Sequence, residues 1–260
     1  MDTTCLKATV RYQGTRFCGW QRQDNGRTVQ GEIETALSRI ADRPIAVQGA
    51  GRTDAGVHAL GQVFSCLWQG SPPQRLAHGL CKMLAPEIRI ESLEPVRDDF
   101  NARFDAKGKR YVYSFSLNRH ADPLQSLFVW HVPYPVDLDL VRQGLSIITG
   151  RHDFAGFQSQ GSQSRTTVRT LVSARLYPGA WCGPADAKNT WTLEFIGDGF
   201  LYKMVRNLCG TLIGVGRGRF PLSFIEDSLS RGAPFLGHCA PPHGLALAEV
   251  YYEDLPGNTH

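Results

Sequence analysis

The chain has 260 residues, 42% of them hydrophobic and 20% charged, with a net charge of +4. That balance suits a globular fold of one large domain or two modest ones, and it permits a polyanionic partner without requiring one. No apolar run approaches the roughly 20 residues of a membrane-spanning helix, which excludes a helical membrane protein. The opening residues, Met1 to Lys7, lack the basic and apolar regions of a signal peptide. The seven cysteines are odd in number and scattered, with no C-x-x-C pair, so neither a disulfide framework nor a zinc site is expected. A cytoplasmic location with reduced, mostly packed thiols follows as the expectation.

Taken in chain order, Leu6, Ala8, Val10 and Tyr12 alternate with polar residues, the period of a half-buried strand. Val29, Ile33, Leu37 and Ile40 recur at helical steps, and Pro44 ends that helix. The pattern predicts strands at Ile45 to Val47, Gln62 to Leu67 and Ile88 to Leu93, with a second helix over Gln74 to Leu84. The order strand, helix, strand, strand, helix, strand is then reused. Strands are expected near Tyr111 to Phe115, Thr170 to Leu176, Thr190 to Ile196 and Leu245 to Tyr251. Helices are expected over Leu138 to Ile148, about Leu201 to Val215, and after Pro221. The fold class is therefore α+β: two ferredoxin-like (RRM-like) split β-α-β domains, residues 1–105 and 106–260, with helices on one face of antiparallel sheets. The most polar stretch is the loop from Gln158 to Arg169, which carries Arg165.

One segment between two of these strands concentrates chemistry. In Gly51-Arg52-Thr53-Asp54-Ala55-Gly56-Val57-His58-Ala59, two glycines bracket an arginine and a carboxylate, so the backbone must turn tightly and present both side chains. Local chemistry leaves two readings open for Asp54: a turn-stabilising hydrogen-bond acceptor, or an ionised nucleophile or base beside Arg52. His58 is expected to pack or hydrogen-bond. Arginines and lysines cluster around this and other Gly-rich or aromatic segments, among them Arg16, Arg22, Arg52, Arg165, Lys203 and Arg206.

The loop Gly51 to Ala59 resembles the signature of the tRNA pseudouridine synthase A family, in which this Asp is the essential catalytic residue. Its companions occur in the family's order. Gly14-Thr15-Arg16-Phe17-Cys18-Gly19-Trp20-Gln21-Arg22-Gln23 is similar to the first loop, and Thr28-Val29-Gln30-Gly31 to the start of the first helix. Asn101-Ala102-Arg103-Phe104 with Lys109-Arg110-Tyr111-Val112-Tyr113 is similar to the segment bearing the substrate tyrosine. His152 to Phe157, Arg169-Thr170-Leu171, the stretch Phe200 to Asn207 and Ala240-Pro241-Pro242-His243-Gly244-Leu245 match the remaining landmarks. Three positions depart from the family: Asn101 and Lys203 replace frequent histidines, and Gly79 to Pro86 lacks the usual Asn before its Leu-Pro motif. They bear on RNA contacts rather than on the reaction.

The resemblance implies an isomerase that converts uridine to pseudouridine in the anticodon stem-loop of tRNA, at tRNA positions 38–40. It also implies a homodimer, the two sheets joined into one extended sheet, and an active-site cleft between the domains. The reaction moves the base from N1 to C5 attachment with nothing added or lost, so no cofactor and no metal are expected, and no Walker-type or dinucleotide fingerprint is present. Asp54 attacks C1′ or otherwise assists glycosidic cleavage. Arg206 is its expected ion-pair partner, and Tyr111 stacks on the uracil, whereas alternation alone makes Tyr111 a strand core residue. Arg52 enters the space left by the flipped base or holds phosphate. Arg16, Arg22, Arg165 and Lys203 are weaker RNA-contact candidates; Trp20 is one too, or a core anchor. Two other classes compete: a non-catalytic tRNA-binding protein or RNA chaperone on the same fold, and a carboxylate glycosidase, for which Asp153 or Asp198 would be the second acid.

Overall fold

A computed structural model of the chain describes residues 3–161, 164–183, 189–230 and 237–256. The chain divides into two compact units, Met1–Ala106 with Ala246–Glu253, and Lys107–Leu245 with Asp254–His260. Both are mixed α and β, the α+β class expected from the pattern of elements.

The first unit holds β1 (Thr3–Tyr12), α1 (Val29–Ala41), β2 (Gln48–Gly49), β3 (His58–Gln69), α2 (Leu76–Leu84) and β4 (Ile88–Val96). β1 lies between β3 and β4, antiparallel to both. The other edge of β3 is shared: Ser65 and Phe64 pair with β2, and His58 and Ala59 pair in parallel with Ala246 and Leu247. That parallel pairing explains why residues 246–253 cluster with the first unit and not with the residues that precede them. On β1 the alternating Leu6, Ala8, Val10 and Tyr12 are at most 3% exposed. Val29, Ile33, Ala36 and Leu37 form the buried stripe of α1, and Leu76, Leu80 and Leu84 that of α2. The opposite face of β1 is also covered. The Lys7 ammonium sits over the Phe100 and Tyr252 rings, Ala102 N–H donates to Ser65 Oγ at 3.1 Å, and the Tyr252 hydroxyl donates to Ala102 O at 2.8 Å.

The second unit contains β5 (Gly108–Ser116), β6 (Trp130–His131), α3 (Leu138–Ile148), β7 (Gly150–Asp153), β8 (Val168–Pro178), β9 (Thr190–Gly197), α4 (Met204–Gly216) and α5 (Ser223–Ser230). Its sheet runs β5-β9-β8-β7, antiparallel throughout, with β6 added in parallel to β5. Asp137 caps α3 by accepting from Asp139 N and Leu140 N. α4 is buried at all but one of its residues, Arg206, which is half-buried. The last strand, β10 (Leu245–Tyr251), has the bounds read from alternation.

Two segments differ from expectation for local reasons. Ile45 to Val47 joins no ladder, because Ile45 N–H donates to Ser38 Oγ and Val47 N–H to Glu34 Oε1. Their backbone donors are spent on side chains of α1. α4 begins at Met204, three residues later than expected, because Lys203 adopts a left-handed conformation (φ 58°) that an α-helix excludes.

Candidate active site

Hydrogen bonds from several elements hold the loop that carries Asp54. Asp54 O accepts from Val57 N at 3.1 Å, closing a turn through Gly56, whose φ is +77°. Gln62, wholly buried, donates from Nε2 to Gly51 O at 2.9 Å. The buried Tyr12 hydroxyl shares a hydrogen bond with Thr53 Oγ1 at 2.9 Å. Burial raises the Tyr12 phenol well above its ordinary range, outweighing its hydrogen bonds to Thr53 and Gln62. It stays a neutral phenol. The β1–β3 register shifts between Val10 and Tyr12, at the end of β1 that carries Tyr12.

A second layer comes from residues 14–20. Trp20 N–H donates to Thr53 O at 3.1 Å, Gly56 N–H to Phe17 O at 3.3 Å, and Gly14 N–H to His58 Nδ1 at 3.1 Å. Two glycines make this contact possible. A Cβ on Gly14 would lie 1.9 Å from Val57 O, and one on Gly19, at φ +98°, would lie 2.6 Å from Thr53 O. The loop therefore presents a half-buried Asp54 from a backbone fixed on both sides. Arg52 is exposed and donates from Nε to Gln21 Oε1 at 3.2 Å.

Several expected RNA-contact residues find partners within the first unit. Trp20 is 2% exposed, its ring 6.1 Å from that of Tyr12, so of its two readings the core anchor is the one seen. Arg22 donates from Nη1 to Glu34 Oε2 at 2.9 Å. Glu34 is buried, and its other oxygen accepts from Gln30 Nε2 and Val47 N. Arg22 thus completes the coordination of an interior carboxylate. Arg16 remains largely exposed, 3.9 Å from Glu87.

In the second unit, Tyr111 is 7% exposed on β5, edge-on to Phe200 at 5.0 Å between ring centres. Arg206 is the third residue of α4, and its Nε donates to Ala240 O at 2.8 Å. Lys203 places its ammonium over the Tyr202 ring at 5.1 Å, and Arg165 is exposed in its loop. Asp153 accepts from Ala155 N two residues on, and Asp198 accepts from Thr170 N on β8, so each carboxylate is engaged with backbone. Cys209 is fully buried, and burial pushes its thiol well above the ordinary range, as expected of a packed cysteine. Among the described residues no three His, Cys, Asp or Glu side chains gather as metal ligands would, and no helix is long and apolar enough to cross a membrane.

Sequence reasoning singled out neither Tyr12 nor Gln62 for the Asp54 loop. Only their hydrogen bonds tie them to it, since each reads as an ordinary strand residue.

The fold is α+β, and a loop bounded by glycines presents a half-buried Asp54. The family model described as tRNA pseudouridine synthase matches residues 8–105 and 146–253. The chain belongs to that family of isomerases, the one its Asp54 loop resembles. It is 40% identical over 254 residues to tRNA pseudouridine synthase A of Streptococcus agalactiae serotype Ia, covering 96% of each chain. It is 40% identical over 251 residues to the protein of that name from Streptococcus thermophilus, covering 95% of this chain and 98% of that one. Against the Myxococcus xanthus protein of that name the identity is 39% over 254 residues, covering 96% and 93%.

Proposed function

We infer that the chain converts uridine to pseudouridine in the anticodon stem-loop of tRNA, with Asp54 as its catalytic carboxylate. The observation that carries this reading is the bracing of the Asp54 loop: five neighbouring hydrogen bonds fix residues 51–58 while leaving the carboxylate half-buried. A turn that merely reverses the chain needs no such bracing, whereas a reacting group must be held in a set geometry. Asp54 serves the step in which the bond from C1′ to N1 breaks. The base turns, C1′ bonds to C5, C5 gives up its proton and N1 gains one, so atoms and electrons balance without a second reagent.

In this reading Tyr111 stacks on the uracil, an interaction worth about 1–3 kcal/mol. Arg206 and Arg52 bind the nucleotide and its phosphates, with Arg16, Arg165 and Lys203 as outer RNA contacts. The catalytic Asp loop belongs to residues 1–105, and Tyr111 and Arg206 to residues 106–260. The active species is a cytoplasmic homodimer, which sedimentation at micromolar concentration tests directly.

The deciding experiment maps pseudouridine in unmodified tRNA transcripts after incubation with wild-type protein and with Asp54→Ala. Conversion of anticodon stem-loop uridines by wild type, with binding but no conversion by the variant, supports the reading. Binding without conversion by wild type across several tRNAs would instead make the chain a non-catalytic tRNA-binding protein.

A further inference from the structure

The segment Ala240 to Gly244 stood out in the sequence, yet none of its side chains is needed for the reaction as written. Its backbone, however, is bonded to Arg206. Arg206 Nε donates to Ala240 O at 2.8 Å, and Ala240 N–H returns a bond to Arg206 O at 3.1 Å. Gly210, one turn further along α4, allows the approach, since a Cβ there would lie 1.6 Å from His238 O. The Ala240 carbonyl therefore constrains the orientation of the Arg206 guanidinium.

The direction of that carbonyl is itself constrained. The peptide plane of Ala240 joins Pro241, whose ring locks φ (here −54°), leaving ψ of Pro241 as the one soft dihedral before the next carbonyl. That next carbonyl, Pro241 O, accepts from the hydroxyl of Tyr113 at 2.9 Å. Tyr113 is wholly buried, and Gly244 packs against its ring, where a Cβ would be 2.7 Å from Cζ. Trp181 Nε1 pins the far end of the segment by donating to Gly244 O at 2.8 Å. Burial also raises the Tyr113 phenol well above its ordinary range, so the donor proton is retained.

We propose that Tyr113 is a positioning residue for Arg206, acting through the carbonyls of Pro241 and Ala240. The proposal rests on the reading that Arg206 serves the reaction. Removing the Tyr113 hydroxyl frees ψ of Pro241, lets the Ala240 carbonyl turn, and loosens the guanidinium without touching substrate. The cost falls on turnover, not on tRNA binding.

The test is a double-mutant cycle on single tRNA transcripts, measuring kcat and KM of pseudouridine formation for wild type, Tyr113→Phe, Arg206→Lys and the double variant. The expected result is a loss of about 10-fold in kcat for Tyr113→Phe with KM within about 2-fold of wild type. Arg206→Lys loses more, and the double variant equals Arg206→Lys alone. Losses that multiply in the double variant, or an unchanged kcat in Tyr113→Phe, overturn the proposal while leaving Arg206's role standing. Wild-type turnover by Arg206→Lys overturns the reading of Arg206, and the proposal with it. Should Tyr113→Phe fail to fold, Pro241→Gly keeps the Tyr113 hydroxyl and the Arg206 guanidinium and frees the backbone between them. It is expected to lower kcat in the wild-type background and to have no further effect beside Arg206→Lys; multiplied losses again overturn the proposal.

Discussion

Gly19→Ala tests whether the loop of residues 14–20 holds Asp54 in place. The added methyl carbon would lie 2.6 Å from Thr53 O and 3.1 Å from the carbonyl carbon of Asp54. A carbon and a carbonyl oxygen approach no closer than roughly 3.3 Å even in favourable contacts, so the Thr53–Asp54 backbone must retreat by about 0.7 Å. Catalytic groups tolerate about 0.5 Å, and an error of 1 Å costs about 100-fold. A fall in kcat of at least about 10-fold is expected. The φ of +98° adds backbone strain of about 1–3 kcal/mol, which for a chain of this size lowers Tm by roughly 2–4 °C per kcal/mol. Gly70→Ala separates the two effects: its φ is +72° but nothing lies within 4 Å of the new carbon. Single-turnover kinetics, filter binding of tRNA and thermal melts read the comparison. The expected pattern is a comparable melting loss in both variants and a rate loss in Gly19→Ala alone, with tRNA affinity unchanged in both. Equal rates in the two variants would refute the view that this loop positions Asp54.

Other outcomes follow from the same geometry. Arg22→Ala removes one partner of the buried Glu34 carboxylate; because the guanidinium is itself exposed, the expected loss is about 1 kcal/mol of stability, seen in urea unfolding, with tRNA affinity unchanged. A tRNA affinity loss with wild-type stability would return Arg22 to the RNA contacts. Native alkylation should mark the exposed Cys18 and Cys182 within minutes and spare Cys66, whose thiol burial pushes up to about 12, and Cys209; mass spectrometry reads the order, and early labelling of Cys66 or Cys209 contradicts the burial. His243 is held below its ordinary 6.5 by burial and by the Arg206 cation, against a backbone hydrogen bond at Val129 that favours the charged ring. The unfolded chain then binds a proton that the native one refuses, so stability falls as pH drops below about 7 and levels off once the native ring titrates. His243→Gln should flatten that portion of the profile; an unchanged slope would place its origin elsewhere.

The elements were legible wherever one periodicity dominated. The stripe of Val29, Ile33 and Leu37 marks α1, and Leu138 to Ile148 and Leu245 to Tyr251 are bounded as alternation and period predict. Short pieces were not legible: β6 and β7 have two and four residues, too few for a period to register. Nor does periodicity show that Val47 N–H would go to Glu34, because a competing side-chain acceptor leaves no mark on the pattern of apolar residues. The tight turn around Asp54 was legible because its glycines announce it, and Gly56 does take a φ of +77°. Trp20 and Arg22 were ambiguous because an indole or a guanidinium suits an RNA surface and a protein interior alike.

What remained hidden has a common physical form. Thr53 O, Gly51 O, Pro241 O, Ala240 O and Gly244 O each accept a bond that orients the chain next to Asp54 or Arg206. The acceptor is in every case a backbone carbonyl, which any residue supplies, so the motif spells out the residues being held but not what holds them. Of the donors, Gln62 and Tyr113 read as ordinary strand positions, whereas Trp20 and Arg206 belong to the motifs but bond here in ways that the motifs do not spell out. Substitutions that keep the donor's bulk and remove only its polar atom should then preserve the fold and slow the reaction. Tyr12→Phe makes the same test in the first unit on a side-chain partner, Thr53 Oγ1. It leaves the ring beside Trp20 and strips the hydroxyl from Thr53 Oγ1, at a stability cost of about 1–2 kcal/mol. Its kcat should fall with KM unchanged, by less than in Gly19→Ala, because one side-chain bond is lost while the Trp20 and Gln62 bonds to the loop backbone remain. A kcat loss in Tyr12→Phe as large as in Gly19→Ala would mean that the hydroxyl, not the backbone contact, carries the positioning.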